Sequence, residues 1–136
     1  MWRIGTGAQR LSDNFDPLKE FMVCIQNARR RAKKLQIDCE LTDEFSKAIW
    51  LRCQGSCEVT GIQFNFNWNF GSSSRRPFAP SIDRIDSRFG YTEGNVRVVC
   101  VAVNLAMNDW GESVLQIIAK ALVNKNSLKI KKDTQP

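Results

Sequence analysis

Pro80-Ser-Ile-Asp-Arg-Ile-Asp86, followed by Gly90-Tyr-Thr-Glu-Gly-Asn-Val-Arg-Val-Val-Cys100 and then Val103-Asn104, lays out two short strands and the start of a helix. Ile82 and Ile85 flank the pair Asp83-Arg84 on a short apolar segment that reads as a strand. Val96-Arg97-Val98-Val99 alternates well enough for a second strand, and Gly94-Asn95 marks the turn before it. Asn104 then falls at the start of a helix, nine residues after Asn95. One carboxylate on a strand and one amide oxygen on the next helix suffice for Mg²⁺ or Mn²⁺, because such cations take few protein oxygens and keep several waters. Asp83 and Asn104 are that candidate pair, with Asn95 placed to orient the group that activates water. The same residues admit a plainer reading: Asp83 and Asp86 as acids paired with Arg84, Arg88 or Arg97, Asn95 as a left-handed turn residue, Asn104 as a helix cap.

Working outward, Asp16-Pro17 is a helix start, with Asp as cap and Pro at the first helical position. Leu18, Phe21, Met22, Ile25, Ala28, Ala32 and Leu35 recur at helical spacing behind it. Thr42-Asp43-Glu44 opens a second helix, with Phe45, Ala48, Ile49 and Cys53 as its buried stripe. Cys57 to Phe64 is short, β-rich and broken at Gly61, and Asn65 to Arg76 reads as a variable loop around Phe66, Trp68 and Phe70. Val101 to Trp110 returns to helical spacing. A final helix follows through Val114, Ile117, Ile118, Ala121 and Leu122. The expected organisation is an arm over 1–15, one domain over 16–124 and a basic tail over 125–136. Within that domain, 16–53 is a basic helical hairpin, 57–110 the α/β core and 113–124 the last helix.

Length and composition set the outer limits. The 136 residues suit one modest core, and 43% apolar content is not that of a disordered chain. Lys and Arg total 20 against 14 acids, and the net charge of +6 favours a polyanionic partner. The basic residues cluster as Arg29, Arg30, Arg31, Lys33 and Lys34, as Arg75 and Arg76, and as Lys129 to Lys132. These blocks predict contacts to a nucleic-acid backbone, with a solvated helix face as the plainer account of any one of them. Trp68 is the candidate for an exposed partner contact, whereas Trp50 and Trp110 lie at core spacing. No apolar run reaches transmembrane length and no signal peptide is recognisable, so the expected setting is cytoplasmic, with five reduced cysteines. There is no histidine.

Four ordered motifs, Cys57-x-x-Thr-Gly-Ile-x-Phe64, Ser81-Ile-Asp-Arg-Ile-Asp-Ser87, Gly90-Tyr-Thr-x-Gly-Asn-Val96 and Arg97-Val-Val-Cys-x-x-x-Asn104, resemble small HNH-endonuclease-type proteins of phages and prophages. Ala28 to Lys33 and Leu41 to Glu44 resemble their leading helices, so the likeness spans about residues 28 to 120. It implies an α+β fold: an N-terminal helical hairpin, a ββα-metal (HNH-like) core and a C-terminal helix. It also implies a metal-dependent DNA endonuclease or nickase using Mg²⁺ or Mn²⁺.

In that family the strand reads Asp-His, the Asp ligating metal and the His acting as general base. Asp83 keeps the ligand position, Asn95 and Asn104 match the other two, Asn108 lies one turn on, and Arg84 stands where the base belongs. A guanidinium stays protonated and takes no proton from water, although it can grip a phosphate. The base would then be Asp86, Glu93 or Tyr91, or a water activated by the cation. The alternative is a catalytically impaired module that binds nucleic acid, or that inhibits or regulates a nucleic-acid-binding protein. Many members carry two Cys-x-x-Cys zinc pairs. Here Thr60 and Val103 replace one Cys of each, so no structural zinc is expected and Cys57 and Cys100 read as buried thiols.

Overall fold

The leading helix forms where its signals put it. The Asp16 carboxylate accepts the Leu18 N–H at 3.0 Å, Pro17 occupies the first position, and α1 runs Pro17–Leu35 until Gln36 turns left-handed at φ 55°. Phe21, Ile25, Ala28 and Ala32 make its buried stripe. Fully burying a residue such as Phe21 or Ile25 stabilises by about 1.5–3 kcal/mol. Thr42 caps α2 (Asp43–Cys53) by accepting the Phe45 N–H at 3.1 Å. In this computed structural model the described residues are 15–67 and 76–133, with the α4 side chains described to Ser127. Residues 1–14 of the expected arm, together with Trp68 and Arg75, lie outside them.

Arg29 ties the hairpin together. Its Nε donates to the Leu41 carbonyl at 2.6 Å and its Nη2 meets Asp43 Oδ1 at 2.7 Å. This member of the basic block is thus a tether between α1 and α2. Arg29→Ala is expected to lower stability by about 1–2 kcal/mol through the orphaned carbonyl, read as a fall in thermal midpoint. Arg31→Ala, at an exposed position on α1, should leave the midpoint unchanged.

The sheet has two antiparallel strands, β1 (Pro80–Arg84) and β2 (Val96–Cys100), pairing Ser81 with Val99, Ile82 with Val98, and Asp83 with Arg97. Helix α3 (Val101–Met107) follows β2 directly. Because side chains alternate, one face carries Ile82, Val96 and Val98, which join Phe21, Ile25, Ile49 and Cys53 in the core. Helix α1 packs against β1 and α2 against β2. Trp50 stacks on Phe21 with centroids 4.8 Å apart, in the packing role its spacing predicts. The opposite face carries Ser81, Asp83, Arg97 and Val99.

Three features differ from the sequence reading. The β-rich stretch after Cys57 is a turn, in which the Gly61 N–H donates to the Cys57 carbonyl at 2.8 Å and Gly61 takes φ 72°. The last helix, read as 113–124 with a basic tail over 125–136, is α4 and spans Gly111–Asp133. The run Asn124 to Lys132 is polar but holds no Gly or Pro, and nothing in it stops a helix. The chain divides after Leu105 into two compact units. In the second unit Trp110 is 55% exposed and its indole N–H donates to the Ala106 carbonyl, so it is not the core residue its spacing implied. Among the described residues, no helix is long and apolar enough to cross a membrane.

Candidate metal and nucleic-acid site

Asp83 sits mid-strand and is only 8% exposed. Its Oδ2 accepts the Arg97 Nε–H at 2.8 Å from directly across the sheet. Burial pushes the Asp83 carboxyl up from its ordinary value, and the Arg97 guanidinium only partly offsets this. Asn104, one turn into α3, donates from Nδ2 to Ser81 Oγ at 2.9 Å and to the Ile82 carbonyl at 3.3 Å. Ser81 and Asp83 are two residues apart on β1, so Asn104 lies on the Asp83 face. With Nδ2 engaged, Oδ1 is the Asn104 atom left to accept.

A carboxylate and an amide oxygen on one face form a hard donor set, one that suits a cation keeping most of its waters better than a closed cage. Among the described residues no three His, Cys, Asp or Glu side chains gather as a metal cluster, so any cation here has a sparse protein shell.

Asn95 is committed to the loop between the strands. Its Oδ1 accepts the Asp86 N–H at 2.9 Å, while Nδ2 donates to the carbonyls of Gly90 at 2.8 Å and Asp86 at 3.1 Å. The left-handed turn expected at Asn95 falls instead on Gly94, at φ 80°. Asn95→Ala would orphan one amide and two carbonyls. We expect a loss of about 2–4 kcal/mol, seen as an early thermal transition rather than as a selective loss of affinity or rate.

Arg84, expected on phosphate, holds the same loop. Its Nη1 donates to the Ser87 and Phe89 carbonyls, both at 2.9 Å, and the guanidinium lies 5.4 Å from the centroid of the Tyr91 ring. Asp86 pairs with Arg88 at 2.6 Å, and that hydrogen bond holds its pKa down at about 2. Such a carboxylate is a poor proton acceptor at neutral pH. Tyr91 is buried and its backbone bridges to Asp38 and Glu40, whereas Glu93 is exposed. Asn108 lies just beyond α3 in a left-handed conformation, at φ 41°.

A groove of about 470 Å³ opens beside this face, bordered by Asn27, Arg31, Arg76, Ser81 and Asn104, with Cys24 in its wall. The structure therefore gathers Arg31 and Arg76 with Asn104. Arg76 is partly occupied, donating to the Phe66 carbonyl at 2.6 Å and reaching Glu20 at 3.5 Å. Arg30 bonds Asn27, and Lys33 and Lys34 are exposed in the last turn of α1. Arg97 was not among the expected site residues, although its position opposite Asp83 in a two-strand register is legible once both strands are drawn.

At the far end of the sheet, the Cys100 thiol bonds to Cys57 and holds the Cys57 pKa down at about 5 against burial, with Thr60 donating as well. Cys100 is pushed up by the same bond.

No family model and no curated protein matches this sequence. The mixed helix-and-strand fold nonetheless resembles that of a solved HNH endonuclease. That structure is of the rare-cutting HNH restriction endonuclease PacI, which exhibits a mechanism of DNA perturbation. It is 18% identical, with a TM-score of 0.55 over 90% of this chain and 84% of that one. At that identity the likeness bears on the fold alone.

Proposed function

We propose that this chain is an HNH-like nuclease that hydrolyses phosphodiester bonds, most simply in DNA, with Mg²⁺ or Mn²⁺ held by Asp83 and Asn104. The observation that carries this reading is the placement of Asp83 and Asn104 on one sheet face, beside a groove edged by Arg31. A divalent cation there supplies charge stabilisation to the reacting phosphate. Asp83 and Asn104 would hold it. Arg31, Arg30, Lys33 and Lys34 would neutralise backbone phosphates along α1, giving affinity without sequence information. Arg84 and Asn95 keep the 85–91 loop in shape and act on the site through it. PacI, as a restriction endonuclease, makes DNA the first substrate to try.

A second reading is a module that binds nucleic acid with little cleavage. It is favoured by the absence of histidine together with the engagement of Arg84 by two carbonyls and the low proton affinity of Asp86. Supercoiled plasmid incubated with the protein in Mg²⁺ or Mn²⁺, beside Asp83→Ala prepared identically, separates the two. Nicked or linear product that disappears in the variant and on chelation supports the nuclease. Absence of product, or equal product from the variant, leaves the binding module.

A further inference from the structure

The ion pair between Asp83 and Arg97 differs from the others in the described structure. Its side chains are 10% and 16% exposed, whereas in each of the other four pairs at least one side chain is 35% exposed or more. It lies on the face proposed to hold the cation, and it engages the one carboxylate proposed as ligand. A guanidinium within 2.8 Å of that carboxylate and a divalent cation on the same group repel each other strongly in so dry a place. Something must relieve that repulsion before the cation binds well. A nucleic-acid phosphate is the anion with the right chemistry, since guanidinium groups take phosphate oxygens as readily as carboxylate oxygens.

We infer that Arg97 couples metal binding to nucleic-acid binding: it holds Asp83 in the cation's place, and a phosphate arriving at this sheet face draws it away and leaves Asp83 to the metal. This rests on the reading of Asp83 as a metal ligand. Arg97 is therefore a positioning residue that meets the Asp83 carboxylate in one state of the site and a phosphate in the other. The coupling is reciprocal, so metal strengthens nucleic-acid binding by the factor with which nucleic acid strengthens metal binding.

The test measures binding rather than turnover. Mn²⁺ affinity is read by electron paramagnetic resonance on the wild-type, Arg97→Gln and Asp83→Asn proteins without nucleic acid. Affinity for a 12-base-pair duplex is read by fluorescence anisotropy in Ca²⁺ and in chelator at constant ionic strength. Arg97→Gln should bind Mn²⁺ about tenfold more tightly than wild type, within the usual range of coupling factors. Ca²⁺ should tighten duplex binding by wild type but not by Arg97→Gln. If Asp83→Asn loses Mn²⁺ while Arg97→Gln binds it no better than wild type, the coupling is wrong and the metal reading stands. If Asp83→Asn binds Mn²⁺ as wild type does, the metal reading fails and the coupling falls with it. Should Arg97→Gln not fold by circular dichroism, the wild-type protein still decides. Its Arg97 Nε–H resonance must move when Mg²⁺ and duplex are added together, and an unmoved resonance overturns the inference.

Discussion

Gly90→Ala is expected to destabilise the protein by about 3 kcal/mol or more, at the upper end of the range for overpacking. A Cβ at this position would collide with the Asp38 carbonyl oxygen and fall 2.8 Å from its carbon. Both atoms are backbone, so no side chain can swing aside. The contact is close because Tyr91 N–H donates to Asp38 O at 2.9 Å and Glu40 N–H donates to Tyr91 O at 2.8 Å. These bonds fasten the segment between α1 and α2 to the loop between the strands. Losing them would also loosen the Gly90 carbonyl that Asn95 holds. The thermal midpoint should drop by about 10 °C or more for a domain of this size. Gly94→Ala is the useful comparison. It sits at φ 80° with open space around it, so the cost there is backbone strain of about 1 kcal/mol. A Gly90→Ala protein that melts with Gly94→Ala would show that the close approach to Asp38 is not maintained in solution.

The second large effect is on cleavage. On the proposed nuclease reading, Asp83→Ala should reduce plasmid nicking in Mg²⁺ by about 10²-fold or more, because a lost cation would remove several kcal/mol of transition-state stabilisation and each 1.36 kcal/mol is tenfold. The variant also leaves Arg97 without its carboxylate, so part of any loss could come from the fold. Asp83→Asn controls for this: it keeps the size and an oxygen for Arg97 but removes the charge. Near-equal loss in both variants, with thermal midpoints close to wild type, assigns the effect to the cation. If Asp83→Asn retains full nicking, Asp83 acts only as the structural partner of Arg97. Single-turnover rates across a Mg²⁺ titration show whether the defect lies in occupancy or in the rate at saturation.

Much of the architecture was legible because local signals agree with the tertiary result. Asp16-Pro17 and Thr42-Asp43-Glu44 open the two helices they predict, and the stripe Phe21, Ile25, Ala28, Ala32 is the one buried. Ile82 and the Val96–Val99 alternation likewise found their strands. The failures share a cause. The length of α4 was missed because polar, charged residues such as Asn124 to Lys132 look like a tail, while intrinsic helix propensity, high for Lys and Leu, does not follow hydropathy. The pairing of Cys39 with Tyr91 was missed because it joins segments far apart in sequence with no periodicity of their own.

Short-range elements and the identity of the chemical groups follow from residue order: an aspartate on a strand, an asparagine on the following helix, basic residues along α1, and no histidine. Tertiary structure alone decided what each group is free to do. It took Arg29 for the hairpin, Arg84 and Asn95 for the loop, and Asp86 for Arg88, and it set Arg97 against Asp83. The physical reason is that residue type lists the hydrogen bonds and charges a side chain can offer, whereas strand register and loop closure determine which partner comes within about 3 Å of it.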